Sequence, residues 1–310
     1  MVVYRELSSL CNDLGYSARA LYAASNTIYK HYHRVDIPKA DGGKRTLNVP
    51  DLYLKSIQKS IVRNLLIYEE ISPYATAYYT GGSTRKNAEP HIGATVILKM
   101  DIKKFFDHIT FPMVKNKVFT ADKYSEANRV LLSVLCIYNE CTPQGAPTSP
   151  FVSNIIMRDF DNRVGAWCKD RGIQYTRYCD DMTFSGDFEP SEVKEYVTRE
   201  IRREGFFVNN KKTVAVKDGR RKEITGIVVN EKAAVPNTYK KKLRQEIYYC
   251  RKYGIESHIA TKEIDESTEQ YLRKLLGRAN YILSVEKDNG EVREYKEWLV
   301  NWIKTKLEYI

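Results

Sequence analysis

Three aspartates stand where carboxylate chemistry is possible. Asp101 closes the apolar run 94–100, and Asp180 with Asp181 sits in a tight bend between the strand-like runs 173–178 and 182–185. Neighbouring strands of a sheet lie ~4.8 Å apart, so carboxylates from two adjacent strand ends can meet although the chain between them is long. Three carboxylates that close repel, and each resists ionising. Divalent cations remove that cost. Mg²⁺ accepts a few carboxylates and keeps its other positions for water and substrate phosphates. Two such ions ~3.5–4 Å apart activate an attacking oxygen and stabilise a leaving one, the arrangement nucleotidyl transfer needs. An isolated Asp-Asp pair is ordinarily a solvated turn. Here Tyr178 and the flanking strands make the turn part of a core element.

The elements that must hold these residues read as follows. Residues 1–33 form two short helices, with Ser17 capping the second. Residues 35–49 form two strand-like pieces around Asp41-Gly42-Gly43, a hairpin signal with a basic flank. Pro50 opens a helix with Leu54, Ile57, Ile61 and Leu65 at helical spacing. Residues 72–92 are polar and irregular. The β-branched residues of 94–100 favour a buried strand. Helices follow at 125–138 and from Ser149-Pro150, where Val152, Ile156, Phe160, Val164 and Trp167 keep the helical period. A helix at 191–204 stops at Gly205. Strands and turns alternate through 206–229, and the chain after Pro236 is helical. The fold class is α+β: an antiparallel sheet with helices on one side.

Composition bounds the partners. Lys and Arg number 50 and Asp and Glu 39, a formal net charge of +11 with pI ≈ 9.2. A polyanion is a natural partner for such a chain. The 310 residues allow roughly two or three domains at ~100–200 residues each. None of the six cysteines forms a C-x-x-C pair and the five histidines are scattered, which argues against structural zinc. Four of those cysteines fall in helical or strand-like runs, as expected of reduced, buried thiols in a cytoplasmic protein. The N-terminus lacks an apolar signal core, and no run of ~18 apolar residues predicts a membrane span.

Four stretches carry a family resemblance. Tyr178-Cys179-Asp180-Asp181 resembles the Tyr-x-Asp-Asp box of reverse transcriptases. Thr142-Pro143-Gln144-Gly145-Ala146-Pro147-Thr148-Ser149-Pro150 resembles their PQGxxxSP box. Asp101-Ile102-Lys103-Lys104-Phe105-Phe106-Asp107 resembles the palm strand that bears the first metal ligand, and Ile37-Pro38-Lys39 with Gly43-Lys44-Arg45 resembles the fingers. All four stand in the family's order over roughly residues 35–230. Within the family the chain is most similar to bacterial retron enzymes. Asn87-Ala88-Glu89-Pro90-His91 fits their NAxxH element and Ile224-Thr225-Gly226 their VTG element, with Ile for Val. Cys179 stands where Ala is usual.

The resemblance implies a right-hand polymerase. N-terminal helices and fingers would occupy 1–93, the palm 94–235 with part of the fingers at 112–150, and a helical thumb 236–310. It implies that Asp101, Asp180 and Asp181, with the Ile102 carbonyl, hold two Mg²⁺ ions, and that Lys39 and Arg45 hold the incoming deoxynucleoside triphosphate. Phe106 would be the steric gate that excludes a ribose 2′-OH. Since Phe105 is adjacent, at most one of the two rings faces the site. Gln144 and Gly145 would contact the template–nucleotide pair, the glycine letting backbone approach substrate. Lys212 would protonate departing pyrophosphate, with Lys211 a close competitor. Asn87, His91, Thr225 and Gly226 would contact RNA. Equally, the first two belong to a polar loop that satisfies its own backbone and the last two to a strand kink.

Further along, Tyr239, Leu243 and Ile247 make one apolar stripe and Leu272, Leu275, Leu276 and Ala279 another. Lys240, Lys241, Lys242, Arg244, Arg251 and Lys252 crowd the first helix, suited to a duplex backbone. The stretch after Val235 is too short for an appended ribonuclease H domain.

As a retron enzyme the chain would copy a structured noncoding RNA that serves as template and primer. It would prime from an RNA 2′-OH to leave a branched RNA–DNA product (msDNA), and act in anti-phage defence with a separate effector protein. The alternatives are another stand-alone bacterial reverse transcriptase, intron-like or of abortive-infection type, and a catalytically inert RNA-binding protein.

Overall fold

The structure, a computed structural model, describes residues 3–38, 42–262 and 265–307. Along the chain, helices α1 (Leu7–Leu14) and α2 (Ala18–Asn26) lead into a two-stranded ribbon, β1 (Tyr32–Pro38) and β2 (Lys44–Pro50), then α3 (Leu52–Asn64) and the short α4 (Thr84–Ala88). Strand β3 (Val96–Asp101) precedes α5 (Phe111–Met113), α6 (Glu126–Cys136) and α7 (Ser149–Lys169). The hairpin β4 (Gln174–Tyr178) and β5 (Asp181–Gly186) is followed by α8 (Pro190–Arg203), β6 (Val214–Val216), β7 (Glu223–Ile224) and β8 (Ile227–Val228). Four helices complete the chain: α9 (Asn237–Tyr253), α10 (Ile255–Thr261), α11 (Thr268–Val285) and α12 (Gly290–Leu307). No described helix is long and apolar enough to cross a membrane. All six cysteines are free thiols, four of them buried.

Two compact units result, residues 1–83 with 95–217, and residues 84–94 with 218–310. In the first, a four-stranded antiparallel sheet has the order β4-β5-β3-β6. Apolar residues of β3 and β5 (Leu98, Met100, Met182, Phe184) join those of α3, α6 and α7 in one core, in which Ile57, Leu132, Phe160 and Val164 are wholly buried. Helix α7 starts at Ser149-Pro150 because proline at the first turn gives up no helical hydrogen bond. Helix α8 ends at Gly205, whose φ of +84° lets Phe206 N–H return to the Ile201 carbonyl at 3.1 Å. Ser17 caps α2, accepting from Ala20 N–H. One start differs from expectation. Pro50 is the last residue of β2, and Asp51 begins α3 by accepting the Leu54 N–H at 2.8 Å.

The second unit differs from the sequence-drawn boundaries in taking residues 84–94 away from the N-terminal region. Backbone and side-chain bonds explain the reassignment: Gly93 N–H to Val229 C=O at 3.0 Å, Lys222 Nζ to Ala94 C=O at 2.5 Å and Arg85 to Ser284 C=O at 3.0 Å. Its core is helical, with Leu243 and Ile247 of α9, Leu272, Leu275, Ala279 and Ile282 of α11, and Leu299 of α12 buried. The basic face of α9 is used in part within this unit. Lys240 pairs with Glu286, Arg244 with Glu291 and Arg251 with Glu294, each within 3 Å, so half of the expected duplex-gripping cations already have carboxylate partners. Lys241 and Lys242 are exposed.

Candidate active site

The pairing of β3 with β5 sets Asp101 directly opposite Asp181, and β4 with β5 sets Tyr178 opposite the same residue. Only Cys179 and Asp180 remain to turn the hairpin. Cys179 takes the positive φ (+60°) that a two-residue hairpin loop demands at its first position. The turn is tied to β3 by Ile102 N–H donating to the Asp180 carbonyl at 2.9 Å. All three carboxylates therefore border one polar cavity of about 560 Å³. The convergence has an electrostatic consequence. Burial, then the charges of Asp180 and Asp101, raises the Asp181 carboxyl to about 6.

The Asp101 carboxylate is already engaged. Lys212 Nζ lies 2.6 Å from one oxygen and Asn209 Nδ2 2.9 Å from the other. That hydrogen bond to Asp101 is the main reason the Lys212 ammonium is held above its ordinary value. Among the described residues no group of three or more His, Cys, Asp or Glu side chains is gathered so that it could hold a metal ion. The donor set nevertheless suits hard divalent cations: carboxylate oxygens from two adjacent strands, one of them, Asp181, held above its ordinary value first by burial and then by its acidic neighbours.

The cavity gathers most of the other expected residues. Lys44, Arg45 and Gln144 line it, as do Ile102 and Phe106. Both adjacent phenylalanines border the cavity, against the expectation of one, but to different degrees: Phe105 is 3% exposed and packs its ring on Phe206 at 5.5 Å, while Phe106 is half-buried. Lys212 borders the cavity beside Asp101, which favours it over Lys211 for a role there. Lys39 lies outside the described residues. Gly145 departs from the expected reason for a glycine. Its φ is +121°, and an added Cβ would fall 2.8 Å from the Asn48 carbonyl, so the close backbone approach is to β2. Asn48 N–H donates to the Gln144 carbonyl at 2.8 Å, fixing the Gln144-Gly145 segment to the ribbon.

The family model for reverse transcriptase (RNA-dependent DNA polymerase) matches residues 37–245, well over half of the chain. The chain belongs to the reverse transcriptase family. Its curated relatives are retron enzymes. It is 34% identical to the Retron Ec86 reverse transcriptase of Escherichia coli, over 69% of this chain and 68% of that one. It is 30% identical to the Retron Ec83 reverse transcriptase of Escherichia coli, over 86% and 91%. With the Retron Mx65 reverse transcriptase of Myxococcus xanthus it shares 32% identity over 74% of this chain, spanning 59% of that protein. The chain thus belongs to the retron-type reverse transcriptases, with an α+β fold.

Four residues of this reverse transcriptase site were not singled out from sequence. Asn209 holds Asp101, and Tyr78 reaches the catalytic turn with its hydroxyl 3.2 Å from Cys179 Sγ. Arg177 and Asp161 form a wholly buried ion pair at 2.6 Å, from which Arg177 also reaches the Cys179 carbonyl. Asn209 had a signal, its place beside Lys212. Arg177 stands directly before the Tyr-Cys-Asp-Asp box, but its pairing with Asp161 had no signal, and Asp161 and Tyr78 come from distant stretches.

The retron-like elements lie in the second unit and interlock there. Thr225 (φ +44°) and Gly226 (φ +81°) turn the β7–β8 hairpin, so they form a tight turn and not a strand kink. A positive φ at a β-branched residue is strained, and two bonds hold Thr225: Asn87 Nδ2 donates to its hydroxyl and the hydroxyl donates to Thr84 C=O, both at 3.3 Å. Asn87 and His91 are fully buried, so in this conformation their side chains face protein; Gly226 is exposed.

Burial lowers the His91 imidazole to about 4. Between that value and the ordinary ~6.5 the unfolded chain binds a proton that the folded one refuses. His91 therefore contributes stability that is complete above pH ~6.5 and is lost as pH falls toward 4, about 3 kcal/mol across the window. Wild-type protein should lose thermal stability over this interval more steeply than His91→Asn, compared by the slope of unfolding midpoint against pH. Parallel slopes would assign the acid limb to other groups.

Proposed function

We propose that this chain is an RNA-directed DNA polymerase that copies a structured noncoding RNA, using it as both template and primer. The observation that carries this reading is the set of three aspartates from paired strands bordering the same cavity as Arg45, Phe106 and Gln144. Asp101, Asp180 and Asp181, with the Ile102 carbonyl, would hold two Mg²⁺ ions. When bound, such ions activate an attacking hydroxyl and offset charge on the leaving oxygen. The rest falls to the chain. Arg45, with Lys44 beside it, draws the triphosphate of a deoxynucleotide to the ribbon end of the cavity. Phe106 limits room at the sugar, and Gln144, pinned through Asn48, borders the position of the nascent pair. Lys212, its ammonium raised, holds the proton that departing pyrophosphate takes up.

Retron relatives support a finer reading. Synthesis would start from an RNA 2′-OH, whose oxygen bonds to the α-phosphorus as the bond to pyrophosphate breaks. The product would be a branched RNA–DNA hybrid, msDNA. The exposed lysines of α9 and the exposed Gly226 turn would face RNA, with Asn87 and His91 shaping that turn from inside. The complex would serve anti-phage defence with a separate effector protein, in the cytoplasm, where six free thiols are at home.

Sequencing the nucleic acid that copurifies with the chain tests this. DNA joined to RNA, neither strand fully removed by deoxyribonuclease or ribonuclease alone, is the expected result. RNA-free DNA would favour an intron-like or abortive-infection enzyme, and RNA alone with no incorporation of deoxynucleotides an inert binder.

A further inference from the structure

The catalytic hairpin turn is built on a non-glycine residue with positive φ, so something must hold it. Arg177 of β4 is fully buried, and its guanidinium is shared between two tasks. Nε reaches both Asp161 oxygens at 2.8 and 3.0 Å and Nη2 reaches Oδ2 at 2.6 Å. Nη1 donates to the Cys179 carbonyl at 2.9 Å. Asp161, on α7 and also fully buried, accepts in addition from the Tyr175 hydroxyl at 2.8 Å. Asn154 accepts from Arg177 at 3.3 Å and donates to the Ala77 carbonyl at 2.7 Å, which fixes the backbone beside Tyr78. Tyr78 donates to the Cys179 thiol. Cys179 is thus held at its carbonyl by a buried network and at its side chain by Tyr78, whose neighbouring backbone that network fixes.

We propose that Arg177, fixed by Asp161, is a positioning residue for the reverse transcriptase reaction: it clamps the Cys179 carbonyl and so sets the direction of the Asp180 carboxylate. The inference rests on the polymerase reading above. The chemistry calls for arginine. A planar fork can satisfy a carboxylate along one edge and a carbonyl with its remaining nitrogen, whereas a single ammonium cannot span both in fixed directions. A buried pair kept only for stability would need no donor aimed at the turn.

Two variants of the full chain separate these roles, with kcat and KM for deoxynucleotide on a primed RNA template measured beside the unfolding midpoint. Arg177→Lys keeps a charge for Asp161 and removes the donor to Cys179. Arg177→Met combined with Asp161→Asn removes both charges, so neither is left buried alone, and the amide introduced on α7 still accepts from Tyr175. Both should keep a midpoint near that of wild type while kcat falls by up to about 10²-fold, the scale of a reacting group misplaced by about 1 Å, with KM nearly constant. Activity that tracks the midpoint in both variants, returning wherever stability returns, overturns the clamp. Wild-type protein that incorporates no deoxynucleotide overturns the polymerase reading instead, and the clamp with it.

Discussion

Asp180→Asn is expected to lower deoxynucleotide incorporation by on the order of 10³-fold or more, the scale of several kcal/mol of transition-state stabilisation, while RNA affinity stays nearly unchanged. The fold should tolerate the change. The turn is set by backbone, through the bond from Ile102 N–H to the Asp180 carbonyl and the pairing of Tyr178 with Asp181. Replacing a half-buried carboxylate by its amide leaves these in place and relieves repulsion among the three acids. Under the proposed function RNA affinity would rest on lysines and arginines away from the turn, and such binding should weaken with salt irrespective of Asp180. The measurement is primer extension with Mg²⁺ beside RNA titration of the same preparation. Equal incorporation by both proteins would remove Asp180 from the chemistry, and lost RNA binding by a folded variant would place RNA on the turn itself.

Phe106→Val should erode the choice of deoxyribonucleotides over ribonucleotides by about 10²-fold in the ratio of kcat/KM values, equal to about 3 kcal/mol. The position of the ring is dictated by its backbone. The Phe106 carbonyl accepts from the Thr142 hydroxyl and from Ile109 N–H, so the residue is held between β3 and the segment leading to Gln144. As the proposed gate, the ring would occupy the volume a ribose 2′-OH needs, and trimming it should admit the larger sugar. Phe105→Val is the control. Its ring is buried against Phe206 although the residue also borders the cavity, so that change should chiefly lower thermal stability and disturb sugar selection far less than Phe106→Val. Unaltered discrimination in Phe106→Val would move the gate elsewhere.

Local pattern determined much of this protein. Two strand-like runs around a tight turn at Cys179-Asp180-Asp181 made the β4–β5 hairpin readable, while the structure puts Asp181 in β5 and leaves a two-residue loop, which sets the register. Helical spacing marked α3, α7 and α9, and the short-range chemistry of Ser17 and Gly205 marked a start and a stop. The motif order identified the three aspartates, Arg45 and Phe106. What tertiary structure decided is what depends on partners far apart in the chain. That Asp101 faces Asp181, and rests on Lys212 and Asn209, follows from the β3–β5 register and the return of the chain before β6. How the two adjacent phenylalanines divide between core and cavity depends on Phe206, which packs on Phe105. Asn87 turned inward onto Thr225, and acidic residues at the end of α11 and on α12 drew in half the cations of α9. A buried arginine beneath the catalytic turn could not be read from Arg177 alone. A charge is stable there only when Asp161 from another element arrives opposite it, and no local rule places the two together.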